Sequence, residues 1–196
     1  MAASKRVLVP IGTGSEEMEA VIIIDVLRRA GAEVTVASVE DNMQVDMSRG
    51  VKLVADKLIG SCSNEEYDVI ALPGGNGGAE RLRDSQELEA LIEQQRGAGR
   101  RWAAVCASPA VVFQSKGWLE GKKATCHPAF VDRLADSSEA DARVVVDGLL
   151  TTSRGPGTSF EFALALVEQL YGKDKAEEVA QPMVLPQGLD APKVVA

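Results

Sequence analysis

The sequence predicts an α/β fold, a mostly parallel sheet with helices on both faces. Three observations carry this. Short apolar runs alternate along the chain with stretches of helical periodicity, the order of strand–helix–strand units. Two of the runs, Tyr67–Leu72 and Trp102–Val105, read as buried strands. Glycine-rich or sharply turning segments follow strands at Gly12–Ser15, Pro73–Gly78 and Cys106. In a parallel sheet such segments gather beyond the carboxyl ends of the strands, where ligands bind.

Each element has its own signal. Lys5–Pro10 is a short apolar strand. A helix follows from about Glu16 to Ala30. Glu16 and Glu17 complement the positive end of its dipole, Arg28 and Arg29 the negative end, and Gly31 stops it. Glu33–Ser38 alternates as a second strand, and Val45–Val54 suits a hairpin turning near Arg49-Gly50. Ala79–Gln95 is expected as one helix ending at Gly97 or Gly99. The Trp102–Val105 strand leads into a helix beginning at Pro109, whose missing N–H costs nothing in a first turn. Lys122–Cys126 is expected as a further short strand. Arg143–Thr152 reads as two strands around Asp147-Gly148. Phe160, Ala163, Leu164, Val167 and Leu170 mark a helix face, with Thr158 and Glu161 as its capping box. Asp174–Ala180 is a last helix, and the tail is expected to be loose from about residue 186. Residues 1–196 form one expected domain.

Composition narrows the function. At 196 residues the chain can bury about 70% of its unfolded surface and needs neither disulfide nor metal as a staple. A formal net charge of -8 argues against nucleic acid or an anionic membrane as a partner. Cys62, Cys106 and Cys126 form no CxxC pair and no zinc spacing, and the odd count reads as free thiols in a reducing compartment. No secretory peptide opens the chain and no apolar run reaches spanning length. A cytoplasmic protein is the expectation, with organelle import left open.

Cys106 carries the chemistry. It falls at the turn between a buried strand and a helix start, where a side chain points out of the sheet top beside unpaired N–H groups. This is the geometry of a nucleophile elbow with sulfur in place of a serine oxygen. An ordinary thiol is only about 3% ionised at pH 7, and a helix N-terminus is expected to raise that share. Gly74-Gly75 lets the backbone approach closely and aim N–H groups inward; with the Ala107 N–H it could hold an oxyanion. One of Glu16, Glu17 and Glu19 could face the sulfur, and a partly desolvated carboxyl there keeps its proton and can shuttle it. His127 is the only histidine, so any imidazole chemistry must use it, and a lone histidine makes a metal site improbable. No Gly-Lys-Ser/Thr follows the glycine loop, which disfavours a nucleotide site.

Taken together, Glu16-Glu17-Met18-Glu19, Leu72-Pro73-Gly74-Gly75-Asn76, Ala104-Val105-Cys106-Ala107, His127-Pro128 and the run from Thr152 to Ala163 resemble one family in order and spacing, over residues about 5 to 185. It is the parkinsonism-associated deglycase branch of the DJ-1/PfpI superfamily. The resemblance implies a flavodoxin-like three-layer sandwich and a homodimer. It implies Cys106 as nucleophile and oxidation sensor, Glu19 as its protonated carboxyl partner, and Gly75 and Ala107 as oxyanion donors. His127 would line the pocket and assist proton movement, and Arg29 and Arg49 would be basic residues at a dimer-proximal site. The activities implied are a glyoxalase acting on methylglyoxal or glyoxal without cofactor, protein deglycation, and redox-regulated chaperoning through the same cysteine. This chain departs from animal members at Ser108, where they commonly carry glycine, and at Met47 and Val54, where they carry cysteines. The glutamine amidotransferase branch is disfavoured, because Pro128-Ala129 follows His127 without the expected glutamate.

Overall fold

The computed structural model describes residues 4–185 and 193–195. Its main sheet contains β1 (Arg6–Ile11), β2 (Glu33–Ser38), β5 (Lys57–Leu58), β6 (Val69–Leu72), β7 (Arg101–Val105), β8 (Val144–Asp147), β9 (Leu150–Ser153) and β10 (Lys193–Val195). Their order is β10-β8-β9-β7-β6-β1-β2-β5, and all pairings are parallel except β8 with β9. A separate antiparallel hairpin is formed by β3 (Gln44–Asp46) and β4 (Lys52–Val54). The helices are α1 (Glu17–Arg29), α2 (Asn76–Asp84), α3 (Gln86–Gly97), α4 (Ser159–Tyr171) and α5 (Lys173–Ala180). The predicted sandwich is therefore present: a mostly parallel sheet with helices around it.

The apolar strands explain the sheet's depth. Every residue of β6 is buried, and only the first residue of β1 and of β7 reaches solvent. Leu8 sits level with Ile70, Leu72 with Ala104, and Val105 with Ser153. From β1 the chain runs outward to β2 and then returns on the other side through β6 and β7. Such a reversal of direction opens a crevice at the carboxyl ends of the two strands concerned, here β1 and β6. The loops after β1, β6, β7 and β9 gather at that edge.

Several expected elements are corrected. The stretch from Ala79 to Gln95 is two helices. Ser85 is extended (φ −76°, ψ 111°), and its hydroxyl accepts the Leu88 N–H at 3.2 Å, capping a new helix. The first of them begins earlier than expected, at Asn76, so Gly77 and Gly78 are helical rather than loop. Lys122–Cys126 joins no ladder, because its amides bond side chains: Lys123 N to Asp147 Oδ2 at 2.8 Å and Thr125 N to Thr152 Oγ1 at 2.9 Å. The capping box at α4 does not form. Thr158 Oγ1 turns back to the Gly155 N–H at 3.1 Å, and Glu161 pairs with Arg143 instead. The buried stripe of α4 runs through Phe162, Ala163, Leu166 and Val167, while Phe160, Leu164 and Leu170 are only partly covered. The helix expected from Pro109 is a five-residue π turn followed by a 3-10 turn. Of the tail expected to be loose, residues 186–192 and 196 lie outside the described residues. Lys193–Val195 pairs in register with Val145–Asp147 and so forms an edge strand instead. No helix among the described residues is long and apolar enough to cross a membrane.

Candidate active site

A cavity of about 630 Å³ opens at the carboxyl edge of the sheet. Its walls come from the loop after β1 (Thr13, Gly14, Glu16), the hairpin turn (Asp46 to Arg49), the loop after β6 (Gly75 to Gly77), Cys106, His127 to Phe130, and Pro156. The hairpin turn is fastened there by Gly14 N–H to Asp46 O at 2.9 Å, Ser48 N–H to Ser15 O at 2.8 Å, and Arg49 N–H to Glu17 Oε1 at 2.7 Å.

Cys106 lies at the bottom, 7% exposed, with φ at +66°. A left-handed non-glycine residue costs about 1–2 kcal/mol, so the elbow is held strained. Its N–H donates to Ser153 O at 3.0 Å and its carbonyl accepts from His127 N–H at 2.8 Å. The amide groups of Gly75 and Ala107 both act on the sulfur and favour its ionised form. Both residues named from the sequence as N–H donors are therefore aimed at the reacting atom.

Of the three glutamates left open by the sequence, Glu19 faces the sulfur. It is completely buried; its Oε2 accepts the Gly74 N–H at 2.6 Å, and its carboxyl interacts with the Cys106 side chain. Oε1 finds no nitrogen or oxygen partner among the described residues. Glu16 caps α1, accepting the Glu19 N–H at 2.8 Å, and Glu17 holds the hairpin. His127 lines the cavity, and its Nδ1 accepts the Ala129 N–H at 3.2 Å. In the neutral ring that places the proton on Nε2. Arg49 lines the cavity mouth, with its guanidinium on Ser48. Arg29 is not brought to this cavity: it sits in the last turn of α1, about 15 Å along the axis from Glu19, and pairs with Asp25 at 2.5 Å.

The electrostatics correct one expectation. Burial together with the Glu19 carboxylate pushes the thiol up to about 12, where the sequence led one to expect a lowered value. The Gly75 and Ala107 amides oppose that rise. Burial also pushes Glu19 up to about 7, against the Gly74 hydrogen bond. Above about pH 7 the pair thus holds one proton. With the proton on Glu19, its negative charge is gone and its O–H can donate to sulfur, so two of the influences that raised the thiol are removed. The ionised sulfur then keeps both amide donors. The charge state of Cys106 is thus coupled to that of Glu19.

This makes stability pH-dependent. Below pH 4.5 both folded and unfolded chains carry the Glu19 proton. Between 4.5 and about 7 the unfolded chain ionises while the folded one keeps its proton, so stability falls as pH rises; above about 7 the loss is complete. The loss amounts to about 3 kcal/mol. Glu19→Gln lacks it, so the variant should gain about that much relative to wild type between pH 4.5 and 8 in urea unfolding. Parallel stability curves would contradict the buried, protonated carboxyl.

Sequence reasoning missed the network behind the cavity. Thr158 Oγ1 meets Ser153 Oγ at 2.7 Å and the Arg154 and Gly155 amides, which fixes the turn carrying Pro156. Gly155 is packed against His127; a Cβ there would lie 3.6 Å from its Cδ2. Thr158 was visible in sequence only as a helix-start residue. Among the described residues no group of three or more His, Cys, Asp or Glu is placed to hold a metal ion.

A left-handed cysteine elbow, two converging amides and a buried carboxyl at the switch point of a parallel sheet define a class: α/β proteins whose chemistry is that of a sheltered thiol. The family model described as "DJ-1/PfpI family" matches residues 5–169, and the chain belongs to that family. It is 50% identical over 185 residues to Protein DJ-1 homolog B of Arabidopsis thaliana, covering 94% of this chain and 42% of that protein. The chain thus spans less than half the length of this plant relative. The structure of oxidized DJ-1 from Toxoplasma gondii matches with a TM-score of 0.90 and 51% identity, over 92% of this chain and 98% of that one. The glutathione-independent glyoxalase DJR-1.2 of Caenorhabditis elegans is 32% identical over 188 residues, covering 94% of this chain and 99% of the relative.

Proposed function

We propose that the chain is a cofactor-independent glyoxalase that converts methylglyoxal to lactate, and glyoxal to glycolate, through Cys106. The observation that carries this is the buried Glu19 carboxyl beside a sulfur that also receives the Gly75 and Ala107 amides, in an open cavity. The thiolate attacks the aldehyde carbon. A C–S bond forms, the carbonyl electron pair moves to oxygen, and that oxygen takes the Glu19 proton. The hydrogen on the same carbon then leaves as a proton to the Glu19 carboxylate, the electron pair moves toward the neighbouring carbonyl, and the hydroxyl proton passes to that carbonyl's oxygen, giving an enediolate. Return of a proton to the neighbouring carbon, from Glu19 or from His127, leaves a lactoyl thioester on Cys106. Water cleaves it to lactate and restores the thiol, so the substrate gains one water and no external oxidant or reductant is used. The relative named a glyoxalase supports the same chemistry. The experiment is lactate formation from methylglyoxal by the wild type and by Cys106→Ala, without glutathione; equal rates would remove the proposal.

The same reading includes a homodimer in the cytoplasm. On α1, Met18 (55% exposed) and Val21 (47%) stay open to solvent, as does Val54 (65%) of the hairpin. Val21 and Val54 share a shallow groove with Ile24 and Leu53. An apolar face of this kind marks an association surface. Sedimentation equilibrium at tens of micromolar should give the dimer mass for the wild type and the monomer mass for Val21→Glu. A wild type that sediments as a monomer would remove the dimer.

A further inference from the structure

The two amides that converge on the sulfur come from different parts of the chain. Ala107 belongs to the elbow after β7, and Gly75 to the loop after β6. That loop is fastened at three successive groups. Gly74 N–H donates to Glu19 Oε2 at 2.6 Å, Gly74 O accepts from Glu16 N–H at 3.0 Å, and Pro73 O accepts from Ser108 Oγ at 2.6 Å. The first two anchor the loop to α1. Only the third ties it to the segment that carries the nucleophile.

Ser108 is completely buried. It occupies the position before the Pro109 turn, where a serine ordinarily folds its oxygen onto the following amides. Here it makes no such capping bond and spends its hydroxyl on Pro73 instead. The two segments are also as close as glycine permits, since a Cβ on Gly74 would lie 2.6 Å from Cys106 Cβ and 2.9 Å from Val105 O. Their separation is therefore set by contact on one side and by this hydroxyl on the other.

We propose that Ser108 is a positioning residue: its hydroxyl holds the β6 loop against the elbow, so that the Gly75 and Ala107 amides meet at one point on the Cys106 sulfur. The proposal deepens the reading of Cys106 as nucleophile and rests on it. Ser108 touches no substrate; it acts through the loop.

The experiment compares wild type, Ser108→Ala and Ser108→Thr by the rate of Cys106 alkylation with iodoacetamide across pH 5.5–9.5, and separately by kcat and KM for methylglyoxal. Loss of the hydroxyl should slow alkylation at pH 7 by about tenfold and move the midpoint of the profile upward, since small misplacements at a reacting centre have effects of that order or larger. kcat should fall with it while KM stays. Ser108→Thr keeps the donor and should retain the wild-type profile. If the Ala variant does not fold, Ser108→Gly removes the same hydroxyl without adding volume and is measured in its place. An alkylation profile unchanged by removal of the hydroxyl overturns the proposal, as does a Thr variant that behaves like Ala. If alkylation changes as expected but no form makes lactate, the positioning role stands and the glyoxalase reading alone falls.

Discussion

Cys106→Ala is expected to lower lactate formation from methylglyoxal by at least about a thousandfold. The sulfur supplies the covalent bond on which every later proton transfer depends, and no other described thiol can replace it. Cys62 and Cys126 are both completely buried, and neither lines the cavity. Burial pushes the Cys126 thiol up to about 12. The fold should be unaffected, because alanine removes one sulfur from a site that already opens onto the cavity. The left-handed φ persists in the variant, so any change in thermal midpoint should be a few degrees at most. A variant that is folded and retains more than about a tenth of wild-type turnover would place the chemistry elsewhere. The peroxide-sensing reading is tested on the same residue. Intact-mass spectra under graded peroxide should show a selective gain of two oxygens in the wild type and none in Cys106→Ala.

Gly75→Ala should be strongly destabilising. The residue has φ at +83°, which costs an alanine about 1–2 kcal/mol. The added Cβ would lie 2.3 Å from Gly14 O and 2.7 Å from Glu16 N, both main-chain atoms that cannot swing aside. Overpacking of this kind adds about 1–3 kcal/mol. The sum, about 2–5 kcal/mol, lowers the thermal midpoint of a chain of this size by about 4–20 °C. It also moves one of the two amides from the sulfur, so activity should fall further than unfolding explains. Gly31→Ala is the matched control: φ is +90°, but nothing lies within 4 Å of its Cβ position, so only the backbone cost applies. A Gly75→Ala midpoint no lower than that of Gly31→Ala would contradict the close approach of the two loops.

Much of this was legible in the residues. Apolar strands such as Val69–Leu72 and the Asp147-Gly148 turn announce themselves by local pattern, and the structure has them where they were expected. The elbow was legible because a buried strand runs directly into Cys106 and Pro109. Glu19 was not separable from Glu16 and Glu17 by pattern alone. Which glutamate faces the sulfur is set by the rotation of α1 about its axis, and packing decides that. The break at Ser85 was hidden because both flanking stretches favour helix, and a single serine hydroxyl ends one and starts the other. Gly77 and Gly78 looked like loop, yet they are helical, and Gly78 packs directly against Ser15. A Cβ on Gly78 would lie 2.3 Å from Ser15 Cα. Lys122–Cys126 has a strand's composition, and only the partners of its amides show that it is not one. The rise in the thiol's pKa was not legible, because it comes from burial and from the Glu19 carboxylate, which only the packing of α1 against the elbow brings to the sulfur.

Reactivity at Cys106 turns on one proton shared with Glu19, and the rate of Cys106 alkylation as a function of pH reads it directly. While the pair holds exactly one proton, the ionised fraction of the sulfur does not change with pH. The rate should therefore rise through a midpoint near pH 7, where the pair loses its first proton, and then stay level to at least pH 9.5. A rate that climbs steadily through pH 8.5 and beyond, as an ordinary thiol's does, would contradict the shared proton and the mechanism built on it.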